Sequence, residues 1–435
     1  MTPRETIFAP ASGHGRAGIS VIRISGPEAD AALSRLTGRK LPPQRQAALR
    51  ELRDSDGGVL DQALVLRFAA GASYTGEPVV ELQCHGGRAV TGAVLAALSE
   101  LPGCRLAEPG EFTRRAFEAG RMDLAEVEAL GDLLAAETEL QRRQAIRGLG
   151  GSLQRQAEAW RRDLLRAAAL VEVTIDWADE EVPENVSPEV AGLLENVEAG
   201  IDRELALSMG AERLRTGFEV AVLGAPNSGK STLINNLAGR DMAITSPLPG
   251  TTRDVLELRY DLDGLPVVFL DTAGLRDAED EIEHEGISRA AARAEAAEMR
   301  LFLRASDAPP PEREAALWRP GDLRVWSKSD LGQGDGDISI SAQTGDGLPE
   351  LIRLIARELA GRAGGDGLVS HARQRRALES AREALVRARI MVETAEAELL
   401  AEELRGATVD LERLVGRIGV EDVLGEVFAT FCLGK

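Results

Sequence analysis

The stretch FEVAVLGAPNSGKSTLINNLAG, residues 218–239, limits the fold more than any other part of the chain. Its unbroken apolar start suits a strand buried on both faces, and such strands belong to parallel sheets covered by helices. Directly after it, GAPNSGKS (224–231) fits G-x-x-x-x-G-K-[ST] and leads into a good helix start. Gly224 and Gly229 let the backbone curl so that its amides face phosphate oxygens. Lys230 brings a positive charge to the β and γ phosphates, and Ser231 can ligand Mg²⁺. The loop from Asn227 through Ser228 to Thr232 is therefore assigned to a nucleotide.

Four later segments fit the same site in order. GTTRD (250–254) offers the hydroxyls of Thr251 and Thr252 in a loop able to close over the γ phosphate and metal. DTAG follows the apolar run PVVFL, which puts Asp271 near Mg²⁺ and the Gly274 amide near the γ phosphate. VWSKSD supplies Lys328 and Asp330 of an N-K-x-D guanine reader but has Ser327 in the first place. A carboxylate can accept two hydrogen bonds from the guanine edge, which adenine cannot reproduce. Serine has one donor where Asn has an amide, so guanine selectivity is expected with weaker anchoring. SAQTGDGL (341–348) adds Ser341, Ala342 and Gln343 as candidates to line the base pocket. Leu275 is an open question, because many GTP-hydrolysing switches keep a Gln there to orient water. Leucine cannot do that.

A chain of 435 residues suggests roughly three domains. The net charge of −20 argues against a surface that binds nucleic acid everywhere, though a local basic face could still dock RNA. Cys84, Cys104 and Cys432 are too scattered for a disulfide framework or metal site, which favours a reducing compartment. The start MTPRETIFAP lacks an apolar signal core, and no run reaches the roughly 18 apolar residues of a membrane span. These features predict a cytoplasmic protein with no membrane partner. Short alternating runs, GISVIRISG, VLDQALVLRF and PVVELQC, predict an α+β domain over 1–117. Apolar residues at helical spacing, Leu124, Val127 and Leu130, then Leu153, Trp160, Leu164, Leu165 and Ala168, predict a helical domain over 118–212. An α/β block follows over 213–370, and residues 371–435 are helical again. Because domain termini often lie close together, the simplest arrangement inserts the α/β block into one helical domain; two independent helical pieces are the alternative.

TIFAPASGHGRAGISVIRISG, YTGEPVVELQCHGG, EPGEFTRRAFEAGRMDLAEVEAL and the ending FCLGK resemble the MnmE (TrmE) family of tRNA modification GTPases over essentially the full length. The resemblance implies a multidomain α/β fold: an N-terminal α+β folate-binding and dimerisation domain, an α-helical domain and an inserted Ras-like P-loop GTPase domain. It implies a homodimer that works with the flavoprotein MnmG on C5 of the wobble uridine of certain tRNAs. GTP, Mg²⁺ held by Ser231 and Thr252, K⁺ and a tetrahydrofolate derivative (5-formyl or 5,10-methylene) are the implied cofactors. Asn227, Ser246, Leu248 through its carbonyl, and Thr251 match the family's potassium site. Glu283 matches its water-orienting acid and would act with Lys230. Arg23, Glu81, Arg121 and Lys435 match its folate ligands. Cys432 in the tail is either a nucleophile or a small apolar residue that seats the tail, and seating is favoured because no adjacent base or cation other than Lys435 is placed to activate it.

The chain departs from the family pattern at Ser327, at SPLPG with its two prolines, and at MRLFLRASD, where Arg300 and Arg304 flank an expected apolar strand. Those arginines predict a strand with an exposed side or an edge position. CHGG reads as a strand end and tight turn rather than a metal site. His14 and His371 have no companions in the sequence. A GTP-controlled binding switch shares the whole nucleotide signature, but it needs neither the N-terminal α/β domain nor FCLGK.

Overall fold

The computed structural model describes residues 5–13, 15–176, 187–239, 242–244, 257–271, 292–305, 307, 314–332, 334–363, 365–394, 396–418 and six positions of the tail, 424, 425, 427, 428, 431 and 434. They form two compact units, Met1–Gly131 with Glu412–Lys435, and Asp132–Leu411.

The first unit holds β1 (Thr6–Pro10), β2 (Ile19–Ser25), α1 (Ala29–Thr37), β3 (Ala48–Arg53), β4 (Val59–Phe68), β5 (Val79–His85), α2 (Arg88–Ser99), β6 (Cys104–Leu106), α3 (Glu111–Glu118) and most of α4 (Leu124–Ala135). The strands pair in the order β3-β4-β5-β2-β1-β6, antiparallel except for β1 with β6. Alternate residues point one way and bury a core of Phe8, Ile22, Ile24, Leu52, Val80 and Leu82 beneath Leu33 of α1 and Leu98 of α2. CHGG is the turn from β5 into α2, with Gly87 as the helix cap. Cys84 is buried and its thiol is pushed up to about 12 by that burial and by Asp61. In the tail, Phe428 and Phe431 pack on Val127 of α4. Gly110, at φ 71°, passes so close that a β-carbon there would stand 2.5 Å from the Phe428 carbonyl oxygen.

In the second unit α5 (Glu139–Leu149), α6 (Ser152–Asp176), α7 (Ser187–Thr216), α10 (Ala372–Thr394) and α11 (Ala397–Leu414) are helical. α6 buries Leu153, Ala157, Trp160, Leu164, Ala167 and Val171, a clean helical stripe. Leu165, expected on it, lies off the stripe and is exposed. The α/β block contributes β7 (Phe218–Gly224), α8 (Lys230–Ala238), β8 (Ala243–Ile244), β9 (Glu257–Leu262), β10 (Leu265–Asp271), β11 (Met299–Arg304), a short helix Glu314–Leu317, β12 (Leu323–Trp326), β13 (Ile338–Ser339) and α9 (Leu348–Ala360). Its sheet runs β13-β12-β11-β7-β10-β9-β8, with β7 parallel to both neighbours. The strand order reverses direction around β7, so the crevice outside its carboxyl end is where a ligand binds in a sheet of this kind. The chain enters and leaves this block side by side: Arg215 Nε donates to the Ser370 carbonyl at 2.9 Å. His371 Nε2 meets Asp132 Oδ2 at 2.9 Å beside that crossing, a companion the sequence does not reveal.

The expectation for Arg300 needs correction. β11 lies between β7 and β12, so it is not an edge, and Arg300 is 1% exposed. Its guanidinium grips Asp322 through Nε at 2.8 Å and Nη2 at 3.0 Å, while Nη1 donates to the carbonyls of Glu295 and Ala297. Asp322 is itself fully buried and also accepts the backbone N–H of Arg300 and Arg319. A charge with matched acceptors can sit in a core; one without them cannot. Arg304, in contrast, keeps one side near solvent and pairs with Glu314 at 2.5 Å. Asp322→Ala should therefore cost the α/β block about 3–5 kcal/mol by stranding the guanidinium, whereas Arg300→Met with Asp322→Leu should recover most of it. Denaturant melts followed in that block check this, and a loss below about 1 kcal/mol for Asp322→Ala contradicts it.

Candidate nucleotide site

The phosphate loop springs from the central strand β7 and ends at the start of α8, so the loop's amides and the helix N-terminus face the same crevice. Backbone approach sets the glycine positions. A β-carbon on Gly224 would stand 2.5 Å from Ser228 Oγ and 2.9 Å from the Leu303 carbonyl oxygen, while Gly229 needs φ 94°. Asn227 also lies in the left-handed region, at φ 62°, which Asn tolerates better than most residues, and its side chain is exposed. Lys230 Nζ is held over the loop by the carbonyls of Gly224 and Ala225, each at 2.9 Å. Ser231 Oγ donates to Asp271 Oδ2 at 3.3 Å, bringing a hydroxyl and a buried carboxylate together at the ends of α8 and β10. Two hard oxygen ligands beside a phosphate loop suit Mg²⁺, so this pair fits that ion. Thr232 is exposed on the first turn of α8.

The segments expected to read the base, SKSD and SAQ, are fastened to this loop and to α8. Ser327, buried at the end of β12, donates its hydroxyl to the Ser228 carbonyl at 2.5 Å and lies 3.1 Å from the Arg304 carbonyl. Where Asn was expected, serine thus spends its one donor on joining the base loop to the phosphate loop. Lys328 adopts φ 55° and pairs with Asp307 at 2.6 Å, while Asp330 is exposed on the following turn. Asn236 Nδ2 of α8 donates to the Ala342 carbonyl at 2.9 Å, fixing the third loop. There Ser341 is buried and its Oγ accepts from the Thr344 amide at 3.2 Å, with Gln343 exposed beside it. Sequence reasoning points to neither Asn236 nor Asp307; a polar residue nearly two helical turns beyond Lys230 is the only signal for Asn236. Ser246, Leu248, Thr251, Thr252, Gly274, Leu275 and Glu283 lie outside the described residues, as do Cys432 and Lys435.

The first unit gathers a second cluster. Arg23 and Glu81 stand opposite each other on β2 and β5, and Nε reaches Oε1 at 3.0 Å. The guanidinium lies 5.3 Å from the Tyr74 ring centre and 5.8 Å from that of Phe112, and Nη1 donates to the Gly434 carbonyl at 3.4 Å. A part-buried cation and carboxylate framed by aromatic faces could hold a flat heterocycle with a donor-acceptor edge. Arg121 is exposed, its stem near Gly76. Tyr74 and Phe112 were not singled out from the sequence, since an aromatic is more often core.

The clasp sets two expectations for calorimetry. Gly224→Ala should lower GTP affinity by roughly 10- to 100-fold, the worth of an overpacking clash of about 1–3 kcal/mol. Ser327→Ala should cost about 1 kcal/mol of GTP binding, the net value of one hydrogen bond. Natural affinity in both variants would contradict the clasp.

Comparison with known proteins agrees with this geometry. The family model "MnmE helical domain" matches residues 124–432, and the model "GTP-binding protein TrmE N-terminus" matches residues 6–121. The protein named tRNA modification GTPase MnmE from Dinoroseobacter shibae is 53% identical over 432 residues, which span 99% of this chain and 100% of that one. The protein of the same name from Cereibacter sphaeroides is 53% identical over 433 residues with the same coverage, and that from Parvibaculum lavamentivorans is 49% identical over 437. A phosphate loop at the carboxyl end of a central parallel strand, in a chain similar to these proteins from end to end, has one reading: the chain belongs to the MnmE (TrmE) family of tRNA modification GTPases.

Proposed function

We propose that this GTPase, working with the flavoprotein MnmG in the cytoplasm, adds a folate-derived one-carbon or aminomethyl-type group at C5 of the wobble uridine of certain tRNAs. The observation that carries this reading is the pairing of two sites in one chain. One is the phosphate loop with its Ser231–Asp271 oxygen pair, and the other is the Arg23–Glu81 pair framed by Tyr74 and Phe112. In the first, Lys230 and the loop amides hold phosphates, Ser231 and Thr252 hold Mg²⁺, and Asp330 reads guanine. In the second, Arg23, Glu81, Arg121 and Lys435 hold the tetrahydrofolate derivative, and Phe428 and Phe431 anchor the tail that brings the terminal residues there. The chain acts as a homodimer. Mass analysis of wobble uridines in cells with and without this protein tests the reading, and unchanged uridine content would end it.

Hydrolysis is expected to need potassium. Leu275 cannot orient water and no arginine finger stands among the described residues, so a monovalent cation held by Asn227, Ser246, the Leu248 carbonyl and Thr251 would neutralise developing charge, with Glu283 placing the water. GTP turnover should rise in potassium over sodium at equal ionic strength and fall in Glu283→Ala. Equal rates in both salts, or an unaffected variant, contradict this.

The tail gives a second test. If Cys432 only seats the tail, Cys432→Ser should keep substantial tRNA modification, while deletion of 433–435 should abolish it and leave GTP hydrolysis by the isolated protein largely intact. Complete loss of wobble modification in Cys432→Ser, with normal folding and folate binding, would instead make the thiol a nucleophile.

A further inference from the structure

Residues 139–166, which cover α5 and the first half of α6, hold seven arginines and three acids in a chain whose net charge is −20. The pattern on α6 is directional. With Leu153, Ala157, Trp160 and Leu164 on its buried stripe, Arg155, Arg162 and Arg166 recur at i, i+7 and i+11. At 100° per residue these three fall within about 40° of one another on the opposite face, in a row about 16 Å long.

What distinguishes this row is that its charge is not used up inside the fold. α10 is as rich in arginine, but Arg375, Arg382 and Arg389 each pair with an acid of α7, namely Glu212, Asp202 and Glu198. Arg155 instead turns toward neutral acceptors, the Gly150 carbonyl and the Ser152 hydroxyl. Arg162 is exposed, and no carboxylate among the described residues pairs with it. Arg166 meets Glu189 at 3.0 Å with both groups well exposed, where solvent weakens the pair. On α5, Arg142 and Arg143 share the single carboxylate of Glu139, which leaves one positive charge over.

We propose that this arginine face of α6, continued onto α5, is the surface on which the tRNA backbone rests; this builds on the family reading that the substrate is a tRNA. Guanidinium forks match phosphate oxygens in twos, and a straight row of them suits a run of successive phosphates. In a chain whose net charge is −20, such a row offers a polyanion a favourable place to approach.

The experiment is fluorescence anisotropy of a labelled tRNA with the full-length protein, over a series of salt concentrations. Arg155→Glu with Arg162→Glu should weaken binding at least tenfold and make the log affinity against log salt slope shallower by about two, one per lost phosphate contact. Arg357→Glu, an exposed arginine of α9 in the α/β block, should stay within twofold of the natural protein, and both variants should hydrolyse GTP normally. Natural tRNA affinity and slope in the double variant would overturn the proposal. So would intact tRNA binding with loss of binding to MnmG alone, which would assign the face to a protein partner. Failure of the natural protein to bind tRNA would also overturn it, and wobble-uridine content in cells, read separately, then shows whether the proposed function falls with it.

Discussion

The hydrogen bond from the Ser327 hydroxyl to the Ser228 carbonyl closes the nucleotide site on itself. A phosphate loop alone is a run of curled backbone with few side chains to hold it. Here it is held from three directions: by β7 beneath it, by α8 beyond it, and by the base-reading loop across it. Asn236 repeats the device nearly two turns along α8 by donating to the Ala342 carbonyl. These bonds fasten the phosphate loop to the loops at Ser327 and Ala342, and segments already held together have less ordering cost to offset when a ligand binds. The loop carbonyl takes the hydroxyl's only proton, so on the proposed reading guanine recognition would fall mainly on Asp330.

The segments that flank this object are tied to the helices around it. β9 and β10 form a hairpin whose turn, at Gly264, rests on Leu140 of α5, and Arg259 of β9 pairs with Glu137 at 3.1 Å. Arg293 reaches both Glu219 of β7 and Glu257, the first residue of β9. Glu298 accepts the Glu219 amide and pairs with Arg213 of α7 at 2.7 Å. β9 begins after GTTRD in the sequence and β10 ends in Asp271, so the strands next to the nucleotide site are ones that contacts from α5 and α7 hold. The strands beside the nucleotide site are thereby joined to α5 and α7 by named contacts, the kind of contiguous packing through which a change at one place is felt at another.

Much of this was legible in the sequence because its cause is local. GAPNSGKS after an apolar strand forces a strand, loop and helix whatever surrounds them, and the stripe of Leu153, Trp160 and Leu164 forces α6 to bury one face. What escaped depends on partners far along the chain. Arg300 read as a reason to expose β11 because Asp322, its partner, is 22 residues away, and an arginine whose partner cannot be seen looks like a surface residue. His371 looked solitary because Asp132 is 239 residues away. Ser327 read as a weakened base contact because only distance shows that its hydroxyl serves the phosphate loop. Tyr74 and Phe112 could not be told from core aromatics until Arg23 was seen between them.

The claim on which all of this stands is that the closed site reads guanine through Asp330, and an exchange of hydrogen-bond partners tests it most directly. Guanine offers two donors to a carboxylate. Xanthine replaces one of them with a carbonyl, which an amide matches and a carboxylate repels. Calorimetry of Asp330→Asn with GTP and xanthosine triphosphate should show GTP affinity falling by roughly 100-fold or more and xanthosine triphosphate binding where the natural protein binds it poorly. Unchanged GTP affinity in Asp330→Asn, or a natural protein that binds ATP as tightly as GTP, would contradict the account.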